Sequence, residues 1–218
     1  MPLSSVLGAA SVIKAGVVTS STRPAVPYVG QLIFETDTNR LAAYNGSAWV
    51  SQNSLQLVAT ASPSAVSSVS INNCFTSTYE NYKVIINLTN SVGADAAFST
   101  RLRASGTDAT TQYATARLYW YSTNVGASLS TGGNGLWWTS AIDPTYKDYF
   151  IELEIHNPQT AMKTTASITA SGADSAGNLW GYRTNGVHDG STQFDGITFS
   201  TAGTSFTGTI RVYGYSNS

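Results

Sequence analysis

The chain is predicted to be all-β: an antiparallel, jelly-roll-like β-sandwich preceded by an extended N-terminal arm and a small β-hairpin or meander module. Three observations predict this. From about residue 63 onward, short stretches alternate apolar and polar residues and are separated by Gly, Ser, Asn and Asp clusters, the spacing of a sandwich or barrel. No segment combines helix caps with a 3.6-residue apolar period. Charged residues make up only 11% of the 218 residues, while 5 Trp, 12 Tyr and 7 Phe supply large rings; average globular proteins carry about 25% charge, and disordered chains lack aromatics.

Met1 to Thr22 holds Val6, Leu7, Val12, Ile13, Val17 and Val18 dispersed among Ser, Gly and Ala, with no helical or strand period. Residues 1–22 are therefore expected to form an extended arm that docks on another chain, since a segment without its own core orders only against a neighbour. Residues 23–52 are expected to form a small meander. Pro24 and Pro27 fix φ and remove backbone donors, so the chain arrives extended. In Gln31 to Thr36, Leu32 and Phe34 share one strand face and Ile33 and Glu35 the other. Asp37, Thr38 and Asn39 form a turn, Leu41 to Tyr44 returns, and Asn45-Gly46 predicts a two-residue type I′ hairpin. Phe34, Tyr44 and Trp49 are the expected apolar anchors of this module, which is too small to stand alone.

Residues 53–62, including the apolar run Leu55 to Ala61, are expected to be a linker, and residues 63–218 the sandwich. Ala65 to Ile71 is its first strand. In Tyr82 to Leu88, Tyr82, Val84, Ile86 and Leu88 share a face; in Phe98 to Ala104, Arg101 and Arg103 share the other face from Leu102. Thr115 to Ser122 is substantial on both faces. Thr123 to Gly135 is expected as a long Gly-rich loop leading to Leu136-Trp137-Trp138. Tyr149 to Asn157 is the cleanest strand, with Ile151, Leu153 and Ile155 inward and Glu152, Glu154 and His156 outward. Ala166, Ile168 and Ala170 mark a slimmer strand, followed by Trp180 and Tyr182. Ile197, Phe199 and Phe206 to Val212 are expected to close as a hairpin around Ala202-Gly203.

The composition removes several function classes. A formal net charge of -1 gives no electrostatic footprint for nucleic acid and no polybasic patch for a membrane surface. No apolar run reaches the roughly 20 residues of a membrane span, and no secretory signal is expected at the N-terminus. The lone Cys74 excludes an intrachain disulfide and any multi-Cys zinc site, and is expected as a small buried hydrophobe. Only His156 and His188 could serve as imidazole bases. His188 lies in a polar turn beside Asp189, and His156 continues a solvent face. Glu152 and Glu154 share a strand face, where cross-strand partners such as Arg101, Arg103 or Arg117 would make them ion pairs rather than glycosidase carboxylates. No catalytic residue, cofactor or metal is expected, and the chain is read as not an enzyme, with a glycan-active hydrolase as a distant third possibility.

The aromatic cluster is the remaining candidate site. Trp120, Tyr121, Trp137, Trp138, Trp180 and Tyr182 lie on or beside Gly/Ser/Asn-rich segments, where rings either fill a core or subunit seam or stack on a sugar face. Alternation assigns Trp120 and Trp138 to the core. Tyr121, Trp137, Trp180 and Tyr182 are the candidates for glycan or interface contact.

One stretch also carries a resemblance. The prolines after Arg23, Gly30-Gln31, a strand with Glu35, the turn Thr36-Asp37-Thr38-Asn39-Arg40, then Tyr44-Asn45-Gly46 and Trp49 are similar to a segment found near the N-terminus of tailed-bacteriophage virion proteins. These include tail fibre, tail appendage and head-decorating polypeptides. Gly208 to Tyr215 is similar to the final strand of β-sandwich domains in the same group. The resemblance implies a non-enzymatic assembly role in the virion, made in the host cytoplasm and frequently homotrimeric. Two functions fit it: a fibre or appendage subunit anchored through residues 1–52 with its sandwich reaching host-surface glycans, or a capsid decoration (cement) protein whose arm clamps capsid subunits.

Overall fold

A computed structural model describes residues 15–51, 55–93, 97–137, 149–173, 177–202 and 204–216. Residues 1–14 of the expected arm, Trp138 and Gly203 lie outside the described residues. The chain separates into two compact units, one ending at Ser54 and the other spanning Leu55–Asn217.

The first unit is a four-stranded sheet in sequence order: β1 (Gly16–Val18), β2 (Leu32–Glu35), β3 (Arg40–Tyr44) and β4 (Trp49–Ser51). β1, expected as featureless arm, pairs parallel with β2, while the other two pairings are antiparallel. The turn between β2 and β3 places Asn39 in the left-handed region at φ 52°, which Asn tolerates. The turn between β3 and β4 differs from the expected two-residue hairpin. Tyr44 pairs with Trp49, so the loop holds four residues, and the Asn45 Oδ1 accepts the backbone N–H groups of Ser47 at 2.9 Å and Ala48 at 2.8 Å. The Asn45 side chain thus reinforces the loop alongside the backbone bond that the Asn45 N–H donates to the Ala48 carbonyl at 3.0 Å.

The strand period correctly pairs Ile33 with Glu35, but their face is the buried one. Ile33 and Glu35 are each 1% exposed, Ala42 is also buried, and the expected anchors Phe34, Tyr44 and Trp49 are half-buried. A two-residue period says which side chains share a face, not which face lies inside. Glu35 tolerates burial because Arg23 Nε donates to it at 2.5 Å and Thr38 Oγ1 at 2.8 Å. The Arg23 hydrogen bond above all, with Thr38 and the guanidinium charge, holds this carboxyl below its ordinary range against the opposing effect of burial.

The second unit is a sandwich of two antiparallel sheets. Its strands are β5 (Leu55–Ala61), β6 (Ser68–Ile71), β7 (Asn81–Gly93), β8 (Phe98–Ala104), β9 (Thr107–Asp108), β10 (Tyr113–Tyr121), β11 (Asn124–Gly133), β12 (Leu136–Trp137), β13 (Tyr149–His156), β14 (Thr164–Ala173), β15 (Leu179–His188), β16 (Gly196–Thr201) and β17 (Thr204–Tyr215). The larger sheet has eight strands in the order β11-β10-β15-β14-β13-β7-β17-β5; the smaller has the order β12-β8-β16-β6, with β9 on β8. No helix occurs among the described residues.

Three expectations change here. The apolar run Leu55 to Ala61 is not a linker but the edge strand β5, paired with β17. Thr123 to Gly135 is not a loop: Tyr121 pairs with Asn124, so Ser122 and Thr123 form a two-residue turn, with Ser122 at φ 53°, and β11 follows at once. β16 and β17 do not form a hairpin, because β16 pairs with β6 and β8 whereas β17 pairs with β5 and β7. The chain crosses between sheets there, and each strand keeps its apolar face on the same core.

That core takes alternate residues from both sheets. Val84, Ile86, Ile151, Leu153, Ile155, Ile210 and Val212 of the larger sheet meet Phe98, Leu102, Ile197 and Phe199 of the smaller, all fully buried. Complete burial of one such side chain contributes about 1.5–3 kcal/mol. Phe98 packs against Phe206 with ring centroids 5.1 Å apart. The sheets are also joined by a polar tie: the Tyr113 hydroxyl accepts the Leu102 backbone N–H at 2.8 Å, and burial pushes that phenol up to about 12. Cys74 is buried as expected, and burial pushes its thiol up to about 12.

Candidate functional site

Of the aromatic residues singled out by the sequence, β10 carries Trp120 and Tyr121, and the adjoining part of β15 carries Trp180 and Tyr182. Cross-strand registers place Tyr113, Thr115, Arg117, Tyr119 and Tyr121 of β10 on the face that β15 continues with His188, Gly186, Thr184, Tyr182 and Trp180. Tyr113 and Thr115 are buried, but Tyr119 and Tyr121 are exposed. A row of rings runs from the core outward on this face: Tyr149 to Trp180 at 4.9 Å, Trp180 to Tyr182 at 5.9 Å, and Tyr182 to Tyr119 at 6.2 Å between centroids.

The rings share a second pattern that sequence reading missed. Tyr119 is paired directly with Gly126, Trp120 with Gly181 and Trp180 with Gly172. In each case a Cβ on the glycine would collide with the ring opposite. The aromatic side chain lies across the vacant glycine position and restores the packing that glycine removes from a strand.

The candidates therefore separate. Trp180 is 4% exposed, so it is a core cover over Gly172 and offers no face to a ligand. Tyr182 is half-buried, and Tyr121 is exposed. Trp137 ends β12, paired with Ser99, and its side chain lies outside the described residues. Trp120, assigned to the core by alternation, sits instead on the opposite face of the sheet over Gly181, half-buried. The anchors Phe34, Tyr44 and Trp49 belong to the other unit, where Tyr44 and Trp49 rings stack at 5.4 Å.

The outer face of the same hairpin holds residues the sequence did not bring forward. Leu118, Val125 and Leu129 are 55%, 78% and 73% exposed. Leu118 and Leu129, with Ala116, Ala127, Arg183 and Asn185, border a shallow depression of about 450 Å³. The alternation Val125-x-Ala127-x-Leu129 was the available signal, hidden by the surrounding Gly and Ser.

The carboxylate pair has a different setting. Glu154 lies opposite Lys83 in the β13–β7 ladder, and Lys83 Nζ reaches Glu152 at 2.6 Å and Glu154 at 3.2 Å. The Tyr215 hydroxyl donates to Glu154 at 2.7 Å, and burial together with that carboxylate pushes the phenol up to about 12. The expected arginine partners are engaged elsewhere: Arg103 with Asp108, Arg101 with the Asn134 carbonyl and Arg117 with Ser128. These acids form a cross-strand charge cluster on a sheet face. His188 is not in a solvated turn but 2% exposed, edge-on to Tyr113 at 5.0 Å and Phe194 at 4.8 Å. Burial lowers its pKa, while the Gly190 N–H donates to Nδ1. His156, half-buried, meets Asn81 Oδ1 at 3.0 Å. Among the described residues, no three His, Cys, Asp or Glu stand close enough to hold a metal ion.

No protein-family model matches the chain. No curated protein matches it. Among solved structures it is similar to a chain from the structure of infectious bursal disease virus Gt strain, at 11% identity and a TM-score of 0.15, covering 88% of this chain and 49% of that one. The chain thus spans about half the length of that neighbour, and a likeness of this strength carries no argument.

Proposed function

We propose that this chain is a non-enzymatic structural protein of a tailed-bacteriophage particle, a fibre or appendage subunit. Its N-terminal unit anchors it and its β-sandwich is presented to the host surface. One observation carries the proposal. The stretch resembling phage virion proteins, Arg23 to Val50, belongs to a compact unit separate from the sandwich, and among its described residues only Ile33, Glu35 and Ala42 are buried. So slight a core suits a module that gains its remaining stability from a docking partner. The low charge and abundant hydroxyls suit an exposed virion surface, and Tyr119 and Tyr121 are among the exposed rings that could stack on a glycan.

Immunogold electron microscopy of phage particles, with an antibody raised against residues 55–217, tests the proposal. Label on the tail or its appendages is the expected result. Label over the shell would move the protein to capsid decoration, with the N-terminal region as the clamp. Intact particles without label would remove the virion assignment altogether.

A further inference from the structure

Each sheet edge in the sandwich presents unpaired N–H and C=O groups to a prospective partner strand. Most edges here are protected. β12 has two residues and β6 four. β5 is broken by a register shift against β17 at Val212/Tyr213, and such bulges discourage further pairing. β11 is the exception: ten residues with no charge and no proline, paired among the described strands with β10 alone. Its ladder on β10 is regular from Asn124 to Ser130, the irregularity falling beyond, between Tyr113 and Thr115 of β10.

That regular segment, Asn124-Val125-Gly126-Ala127-Ser128-Leu129-Ser130, is centred on Ala127 and is self-complementary in an antiparallel arrangement. A two-fold axis at Ala127 would set Val125 against Leu129 of a second copy, Gly126 against Ser128 and Ala127 against itself. Residues whose numbers differ by an even step share a strand face, so this register keeps every apolar side chain on the outer face. Val125 and Leu129, the most exposed large apolar residues among those described in the sandwich, would then contact each other across the seam, and no like charges would meet. We infer that the β11 edge is a homodimerisation site, where two copies of this chain pair antiparallel about Ala127 to join their eight-stranded sheets. A seven-residue ladder is about 24 Å long and one strand wide, a smaller contact than the roughly 1,200 Å² of a standard stable interface. The pairing is accordingly weak and concentration-dependent in free solution. Its symmetry is two-fold, in contrast to the trimer implied by the resemblance, and it does not depend on the virion assignment.

Cysteine cross-linking of the full chain tests the register, and buried Cys74 does not interfere. Under mild oxidation A127C should give a covalent dimer, because opposed residues bring their Cβ atoms within about 4.5–5.5 Å. V125C and L129C alone should not, since each faces a different residue of the other copy. The double variant V125C/L129C should cross-link again. Ala127 is exposed, so these changes leave the core untouched. Light scattering of the unmodified chain from about 1 to 100 μM should show the mass rising from monomer toward dimer, and A127K should abolish the rise by opposing two like charges. A trimer, a monomer throughout, or equal cross-linking at all three single positions would overturn the inference.

Discussion

Replacing Gly172 by alanine tests whether the sandwich depends on rings seated over glycine. Gly172 of β14 lies opposite Trp180 of β15, and an added Cβ would stand 2.7 Å from Cε2 and 2.9 Å from Nε1 of the indole. The indole Cζ2 would come closer still; ordinary contact needs about 3.5 Å or more, so the ring must move outward by roughly an ångström or more. It has little room, being 4% exposed and flanked by Tyr149 at 4.9 Å and Tyr182 at 5.9 Å. Overpacking of this kind costs about 1–3 kcal/mol, while the loss of glycine freedom in the unfolded chain returns about 0.4–1 kcal/mol. The predicted net effect of G172A is destabilisation by about 1–2 kcal/mol, or a fall in Tm of about 2–8 °C for a domain of this size. W180A should itself cost about 3–5 kcal/mol through the cavity it leaves. In that background the clash is gone, so G172A should become neutral or stabilising by a few tenths of a kcal/mol. Urea unfolding of the four proteins, followed by far-UV circular dichroism, measures the coupling. Equal cost of G172A with and without Trp180 would refute the reasoning.

Two further outcomes follow from buried groups. Because the Arg23 hydrogen bond depresses the folded-state pKa of Glu35 below its ordinary 4.5, the pair's stabilisation is present above about pH 4.5 and is lost as pH falls through the folded value. E35Q should therefore weaken the N-terminal unit by about 1–3 kcal/mol at neutral pH and flatten its acid dependence, read from the indole N–H resonance of Trp49; an unchanged acid limb would contradict this. Cys74, buried and with its thiol pushed up to about 12, should resist a thiol-specific disulfide reagent at about pH 8 until the protein is unfolded; rapid stoichiometric labelling of the native chain would show the opposite.

The β-strands were legible wherever one face was apolar and the other polar. Ile151, Leu153 and Ile155 in β13 are inward as their alternation required, with Glu152, Glu154 and His156 on the other face. Legibility failed where the pattern was even-handed or small. β11 looked like a loop because Gly and Ser surround Val125 and Leu129 and because Ser122-Thr123 lacks the Asn-Gly turn signature. In β2 the period gives the correct faces but not the one that lies inside, since the main partner of buried Glu35 is Arg23, twelve residues away. The aromatic candidates fared unevenly for a related reason: nothing local to Trp180 announces that its cross-strand neighbour is a glycine.

By itself, then, the sequence determined the all-β class and the residues that share each strand face, because a two-residue period and turn chemistry act between near neighbours in the chain. Tertiary structure decided which faces are buried, which rings are covers and which are displayed, where the chain changes sheets, and which edge is left open. Those outcomes depend on the register between strands far apart in sequence, such as β10 against β15 and β7 against β17, and that pairing is a property of the whole core rather than of any one segment.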